Sequence, residues 1–93
     1  MSFSRDSAVQ RAKQDLAERI GVAESEIELA SVSDEDFPNS SLGAPVGDEM
    51  GAQMIMSGWK IILTADGKNY EYRADKYQLR LRDFKGTNYA IVS

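Results

Sequence analysis

The residues that could carry chemistry are few, and most are carboxylates. Asp34, Glu35 and Asp36 are consecutive, and oxygen ligands of this kind suit Ca²⁺ or Mg²⁺. On an extended segment, however, adjacent side chains diverge, and no Asp-x-Asp-x-Asp-Gly loop follows. The run therefore reads as a solvated strand end. Ser40 and Ser41 are the candidate nucleophiles, but the chain contains no His and no Cys. That removes the commonest general base, the commonest metal ligand and all thiolate chemistry. No Gly-x-Ser-x-Gly elbow surrounds the serines. Glu24, Glu26, Glu28, Asp48 and Glu49 read as surface charges, because acid–base pairs need a cleft that separates their pKa values. The glycines form neither a phosphate loop nor a dinucleotide fingerprint. The reading is of a chain that is not an enzyme and takes no cofactor and no metal.

A different chemistry is offered by Met50, Met54, Ile55, Met56 and Trp59. Methionine makes adaptable apolar surface, and such patches mark interfaces when exposed. With Phe37 and Leu42 they would form a sticky surface. The competing reading is that Met54, Met56 and Trp59 close the open end of a small core, with the intervening loop lying flat over it. Both stay open from the residues alone.

The charge is unevenly spread. Residues 1–67 hold five Lys/Arg against twelve Asp/Glu, whereas residues 68–93 hold six against three. The basic set Lys68, Arg73, Lys76, Arg80, Arg82 and Lys85 has the sign that phosphate contact requires. The net charge of −4 and the absence of a base-reading motif argue against nucleic acid, so the set is expected to be the solvated face of a strand. No apolar run approaches the roughly 18 residues of a membrane span. The N-terminus lacks a basic-then-apolar signal pattern. With Met1 native the expected compartment is the cytoplasm; as a trimmed mature form the chain would belong to the cell envelope or be secreted.

These residues must be positioned by one small domain. Ninety-three residues supply one core, burying about 60–65% of the unfolded surface, without room for a deep substrate cavity. Val9, Ala12, Leu16 and Ile20 recur at helical spacing, predicting a helix over about 4–20 capped by Ser4 and ended by Gly21. Period-2 alternation predicts strands over about 26–33, 52–65, 69–75, 77–84 and 88–92. Asp66-Gly67 between two such runs is a hairpin signal. Both prolines lie in the 34–51 stretch, with Gly43, Gly47 and Gly51, so it is expected to be a long loop, which is usually functional or mobile. The sum is a single α+β domain: one N-terminal helix on a mostly antiparallel sheet of four to five strands, in two layers. The sheet face carrying Arg73, Arg80 and Arg82 is expected to be the wetter one.

Several stretches taken together resemble a known pattern. They are Ala12-Lys13-Gln14-Asp15-Leu16-Ala17, Gly21-Val22, Phe37-Pro38-Asn39-Ser40-Ser41-Leu42-Gly43, Gly58-Trp59-Lys60-Ile61-Ile62-Leu63 and Tyr70-Glu71-Tyr72-Arg73. The chain resembles a family of small, mostly uncharacterised bacterial proteins and lipoprotein domains reading "(W/F)PDSSLGCP…PGYRIxLxxxGxxYxYHT". More distantly its architecture resembles PepSY and cystatin-like domains, which implies a role in binding or inhibiting proteases. Ala44 stands where that pattern has Cys and Arg73 where it often has His, so a disulfide, thiol or metal role at those positions is not implied here.

The functional expectation is a binding module for a protein or extended peptide partner. Its candidate surface is Phe37, Pro38, Asn39, Ser40, Ser41, Leu42, Met50, Met54, Met56 and Trp59, or an exposed sheet edge. The alternative is a structural, oligomer-forming subunit that uses the Met-rich segment as its interface.

Overall fold

The computed structural model describes residues 2–92. Its helix, α1, runs Arg5–Ile20. Ser4 is extended, and its Oγ accepts the Ser7 N–H at 3.1 Å while its own N–H donates to Ser7 Oγ at 2.8 Å. A serine thus does the work that Glu or Gln does in the usual capping box. Asp6 lies in the first turn, where the helix dipole favours an anion. At the other end Gly21 takes φ 73°, and the N–H groups of Gly21 and Val22 both donate to the Ala17 carbonyl. This is a left-handed ending of the kind glycine permits.

Five strands follow as an antiparallel meander in chain order: β1 Glu28–Phe37, β2 Met56–Ala65, β3 Lys68–Ala74, β4 Leu79–Phe84 and β5 Thr87–Val92. The chain is an α+β domain with its helix packed on one face of that sheet. Ala8, Val9, Ala12, Leu16 and Ala17 of α1 meet Ile61, Leu63, Tyr72, Ala74, Leu79 and Leu81 of the sheet. Small residues on the helix let it lie close; burying each large partner contributes about 1.5–3 kcal/mol. The β2–β3 and β4–β5 hairpins turn on Asp66-Gly67 (φ 55°, 75°) and Lys85-Gly86 (φ 52°, 83°). Both are positive-φ pairs matching the twist of the strands they join.

The strand bounds differ from the periodicity by more than a residue in β1, β2 and β4. Glu24–Glu26 form a single 3₁₀ turn, so β1 starts later, at Glu28, and continues through Asp34-Glu35-Asp36 to Phe37. The expected loop 34–51 therefore begins only at residue 38. β1 is an outer strand whose acidic side chains stay in water, so their charge does not prevent pairing with Met56–Lys60 of β2. Residues 52–55 are not part of β2. β4 starts at Leu79 because Asp75 Oδ1 accepts the N–H groups of Tyr77 and Gln78 at 2.8 and 2.9 Å, turning the chain there. Phe84, where the alternation fails in sequence, follows Asp83 at φ 56° and a shift in the β4–β5 register. That shift is the mark of a bulge.

Candidate functional site

The segment between β1 and β2 does not hang free. It crosses the sheet on the face opposite α1, as a strap held by side chains of β3, β4, β5 and the β3–β4 turn. Arg73 Nη1 donates to the Leu42 carbonyl at 2.8 Å. Arg80 Nη1 donates to the Ala44 carbonyl at 3.0 Å, and Gln78 Nε2 to the Ser40 carbonyl at 2.7 Å. Asn88 Nδ2 reaches the Pro45 carbonyl at 2.9 Å. Each contact satisfies a carbonyl that a loop cannot pair within itself, so the strap binds the sheet through its backbone.

Its path is set locally. Asn39 Oδ1 accepts the Ser41 N–H, the Ser41 hydroxyl and the Gly43 N–H at 3.1, 2.7 and 3.1 Å. Leu42 and Gly43 take φ 58° and 68°, and the Ala44 N–H donates to the Ser41 carbonyl across them. A leucine at positive φ is uncommon; here the turn delivers its side chain into full burial. The neck closes where Ser40 N–H donates to the Ala52 carbonyl and Ala52 N–H donates to Ser40 Oγ. A compact loop with adjoining ends is an Ω-loop, a form that is often functional.

The electrostatics of the face follow from the strap. Arg80 is only 4% exposed, and Glu49 meets it with both carboxylate oxygens, at 2.5 and 2.9 Å. Gln78 Oε1 accepts its Nε–H at 2.9 Å. The bond from Arg80 holds the Glu49 carboxyl below its ordinary range, against a smaller opposing effect of desolvation. Arg73 donates to Glu71 at 2.7 Å and lies over the Phe37 ring, 5.3 Å from its centroid. The expectation that Arg73, Arg80 and Arg82 form a solvated face is corrected here: Arg82 is exposed, whereas Arg80 is buried and Arg73 half-buried under the strap. Among the described residues no buried side-chain polar atom lacks a hydrogen-bond partner.

The ten candidate surface residues separate into two groups. Phe37, Ser41 and Leu42 are buried, Asn39 and Ser40 are half-buried and bonded within the strap, and Pro38 is exposed. Trp59 and Met56 are half-buried, Trp59 against the main core. Met50 and Met54 face solvent, 95% and 53% exposed, with Ile55 at 73%. The strap thus has a pinned root, residues 37–44, and an exposed apolar return, residues 50–55. Its root lids the sheet's second face rather than the open end of the helix-side core.

Sequence reasoning missed Tyr77, 70% exposed in the β3–β4 turn. It also missed Arg73, Gln78 and Arg80 as clamps. Tyr77 adjoins Gln78, which bonds Ser40 in the neck, so this turn and the Met-rich return share one end of the molecule. A readable signal existed for the clamps: Arg73, Gln78 and Arg80 are long hydrogen-bonding side chains at polar positions of the alternation, in a chain that also holds a Pro/Gly segment rich in unpaired carbonyls. Among the described residues no group of three or more Asp or Glu side chains converges as a metal cradle would, and no helix is long and apolar enough to cross a membrane.

The chain belongs to the family described as "Domain of unknown function (DUF8738)", which matches residues 9–82. The match spans most of α1, the whole strap and the sheet through Arg82. No curated protein and no solved structure matches the chain.

Proposed function

We propose that this domain is a non-enzymatic protein-binding module that presents the return of its strap to a partner. The observation that carries the reading is the placement of its exposed large apolar side chains. Among the described residues four of the five, Met50, Met54, Ile55 and Tyr77, lie at the end where the strap leaves and rejoins the sheet; the fifth and least exposed, Leu29, lies on β1 across from Leu63. Each exposed apolar group holds water at a cost of about 25 cal/mol per Å² that burial in an interface would recover. The strap is tied to the sheet by Arg73, Gln78, Arg80 and Asn88, so the return is presented on a fixed base, and less ordering opposes binding. The non-enzymatic part of the reading is supported by the lack of His and Cys and by arginines engaged in holding the strap. A protease-directed role, implied by the resemblance to PepSY domains, would use this same surface. The second reading is self-association through Met50, Met54 and Ile55 as a structural subunit.

Photo-crosslinking amino acids at Met50 and Ile55, with Asp66 at the far hairpin as control, test both. The expected result is a defined adduct with another protein from positions 50 and 55 and none from position 66. An adduct between two copies of this chain, with a dimer by sedimentation, establishes the second reading instead. Equal labelling from all three positions overturns both.

A further inference from the structure

β1 is the outer strand of the sheet and is ten residues long. Arg5 Nη2 donates to the Val32 carbonyl at 3.0 Å, so the peptide groups of Val32 point away from β2. In a strand such groups alternate, so those of Asp34 and Asp36 point outward too, and among the described residues nothing pairs with them. Sheets commonly guard such an edge with charged side chains, lysine above all, with proline or with a bulge; Arg5 covers it at Val32, and the carboxylates beyond repel other acidic strands but not a basic one. Here the register slip lies between Leu29 and Ser31, and the half from Val32 to Phe37 pairs regularly with β2 and carries no Lys or Pro.

The side chains along this half indicate what would fit. Asp34 lies across from Trp59 and Asp36 across from Ser57. A hollow of about 370 Å³ opens beside them, lined also by Glu35, Gly58 and Lys76. Gly58, in its wall, lets β2 lie close to the end of β3, since a Cβ there would stand 2.0 Å from the Ala74 carbonyl oxygen. β1 carries Glu28, Asp34, Glu35 and Asp36 and no cationic residue. None of the four is in an ion pair among the described residues; Asp36 accepts only the Ser57 hydroxyl, at 2.9 Å. A second copy of the same edge would bring these carboxylates together twice over. A basic strand complements them, and a hollow lined by an indole and three carboxylates suits a lysine or arginine head group.

We propose that the outer edge of β1 captures an extended basic segment of another protein by strand addition, with one of its cationic side chains lodged beside Trp59. This surface adjoins the Met-rich return, with Ser57 and Lys76 next in the chain to Met56 and Tyr77, but uses none of the return's residues. Recognition divides in the manner of other added strands: backbone bonds to Asp34 and Asp36 supply affinity, and the carboxylates of Asp34, Glu35 and Asp36, three against the single cation Lys76, supply selectivity for positive charge.

Trp59 is the sole tryptophan, so its emission reports the hollow directly. The probes are a synthetic peptide alternating lysine with valine, its glutamate counterpart, and the lysine peptide N-methylated along one edge. The expected result is a saturable change in Trp59 emission with the lysine peptide and none with the glutamate peptide. Binding should weaken about tenfold or more in the Asp34→Asn/Asp36→Asn double variant and with the N-methylated peptide, the scale of losing charged or backbone contacts. Met50→Ser/Ile55→Ser should bind the lysine peptide as the parent does, which keeps this result distinct from the crosslinking test. Melting curves establish that each variant is folded. No saturable change with the lysine peptide, or equal affinity of the N-methylated peptide, or of the Asn variant, overturns strand addition at β1.

Discussion

The Glu49 carboxylate grips the buried Arg80 guanidinium through both of its Nη atoms, at 2.5 and 2.9 Å, from a strap that is otherwise held by its carbonyls. The pair is unequal: Arg80 is buried, whereas the Glu49 side chain is 38% exposed. Glu49→Gln leaves the arginine buried with only neutral acceptors. Breaking a fully buried pair costs about 3–5 kcal/mol; with one partner in partial contact with water the expected loss is nearer 1–2 kcal/mol. Urea unfolding measures it.

The same pair sets an acid limit. Glu49 has a folded-state pKa below its unfolded value, so its contribution is complete above the unfolded value, about 4.3. It is lost as pH falls through the folded value. The parent should lose stability on acidification below about pH 4 more steeply than Glu49→Gln. Parallel pH–stability profiles of the two proteins would contradict this.

Tyr72 ties the helix to the sheet from inside the core, donating to Asp15 Oδ2 at 2.7 Å, while Arg19 donates to both Asp15 oxygens at 3.1 Å. Burial first, and the Asp15 bond second, push the Tyr72 phenol far above its ordinary range. A raised folded pKa contributes stability that is present below the unfolded value, about 10, and lost as pH rises through the folded one. In a spectrophotometric titration of the four tyrosines, Tyr72 should stay protonated until the protein unfolds in alkali. Tyr72→Phe should cost about 1.5–3 kcal/mol, the range for a bond to a charged acceptor.

Glycine replacements separate close packing from backbone conformation. At Gly58 an added Cβ meets the Ala74 backbone at 2.0 Å, so Gly58→Ala must force β2 and β3 apart. We expect a loss above about 3 kcal/mol or failure to fold. At Gly21, φ is +73° and nothing lies within 4 Å, so Gly21→Ala should cost only about 1 kcal/mol. Thermal melts of the two variants give the comparison, and similar losses would count against it.

Root and return of the strap should respond oppositely to truncation. Leu42→Ala and Phe37→Ala remove buried side chains and should cost about 2–5 kcal/mol. Met50→Ser changes a side chain in solvent and should stay within about 0.5 kcal/mol of the parent. A large loss from Met50→Ser would show that the return packs rather than projects.

The sequence by itself determined the elements whose signals are local. The helix is legible in Val9, Ala12 and Leu16 and in the Ser4 and Gly21 ends, because helical contacts recur every three to four residues. The hairpin at Asp66-Gly67 and the helix-side face of Trp59, Ile61 and Leu63 are legible for the same reason, with a period of two. The long segment was legible as a place, since its prolines and glycines exclude regular structure, but its course was not. Only the tertiary structure decided that. The bonds from Arg73, Arg80 and Gln78 to Leu42, Ala44 and Ser40 span 31, 36 and 38 residues. An arginine written as polar-face alternation looks the same whether water or a carbonyl will meet it. What distinguishes the two is the layer laid over it, and that layer exists only once β1 and β2 have brought both ends of the segment to one end of the sheet.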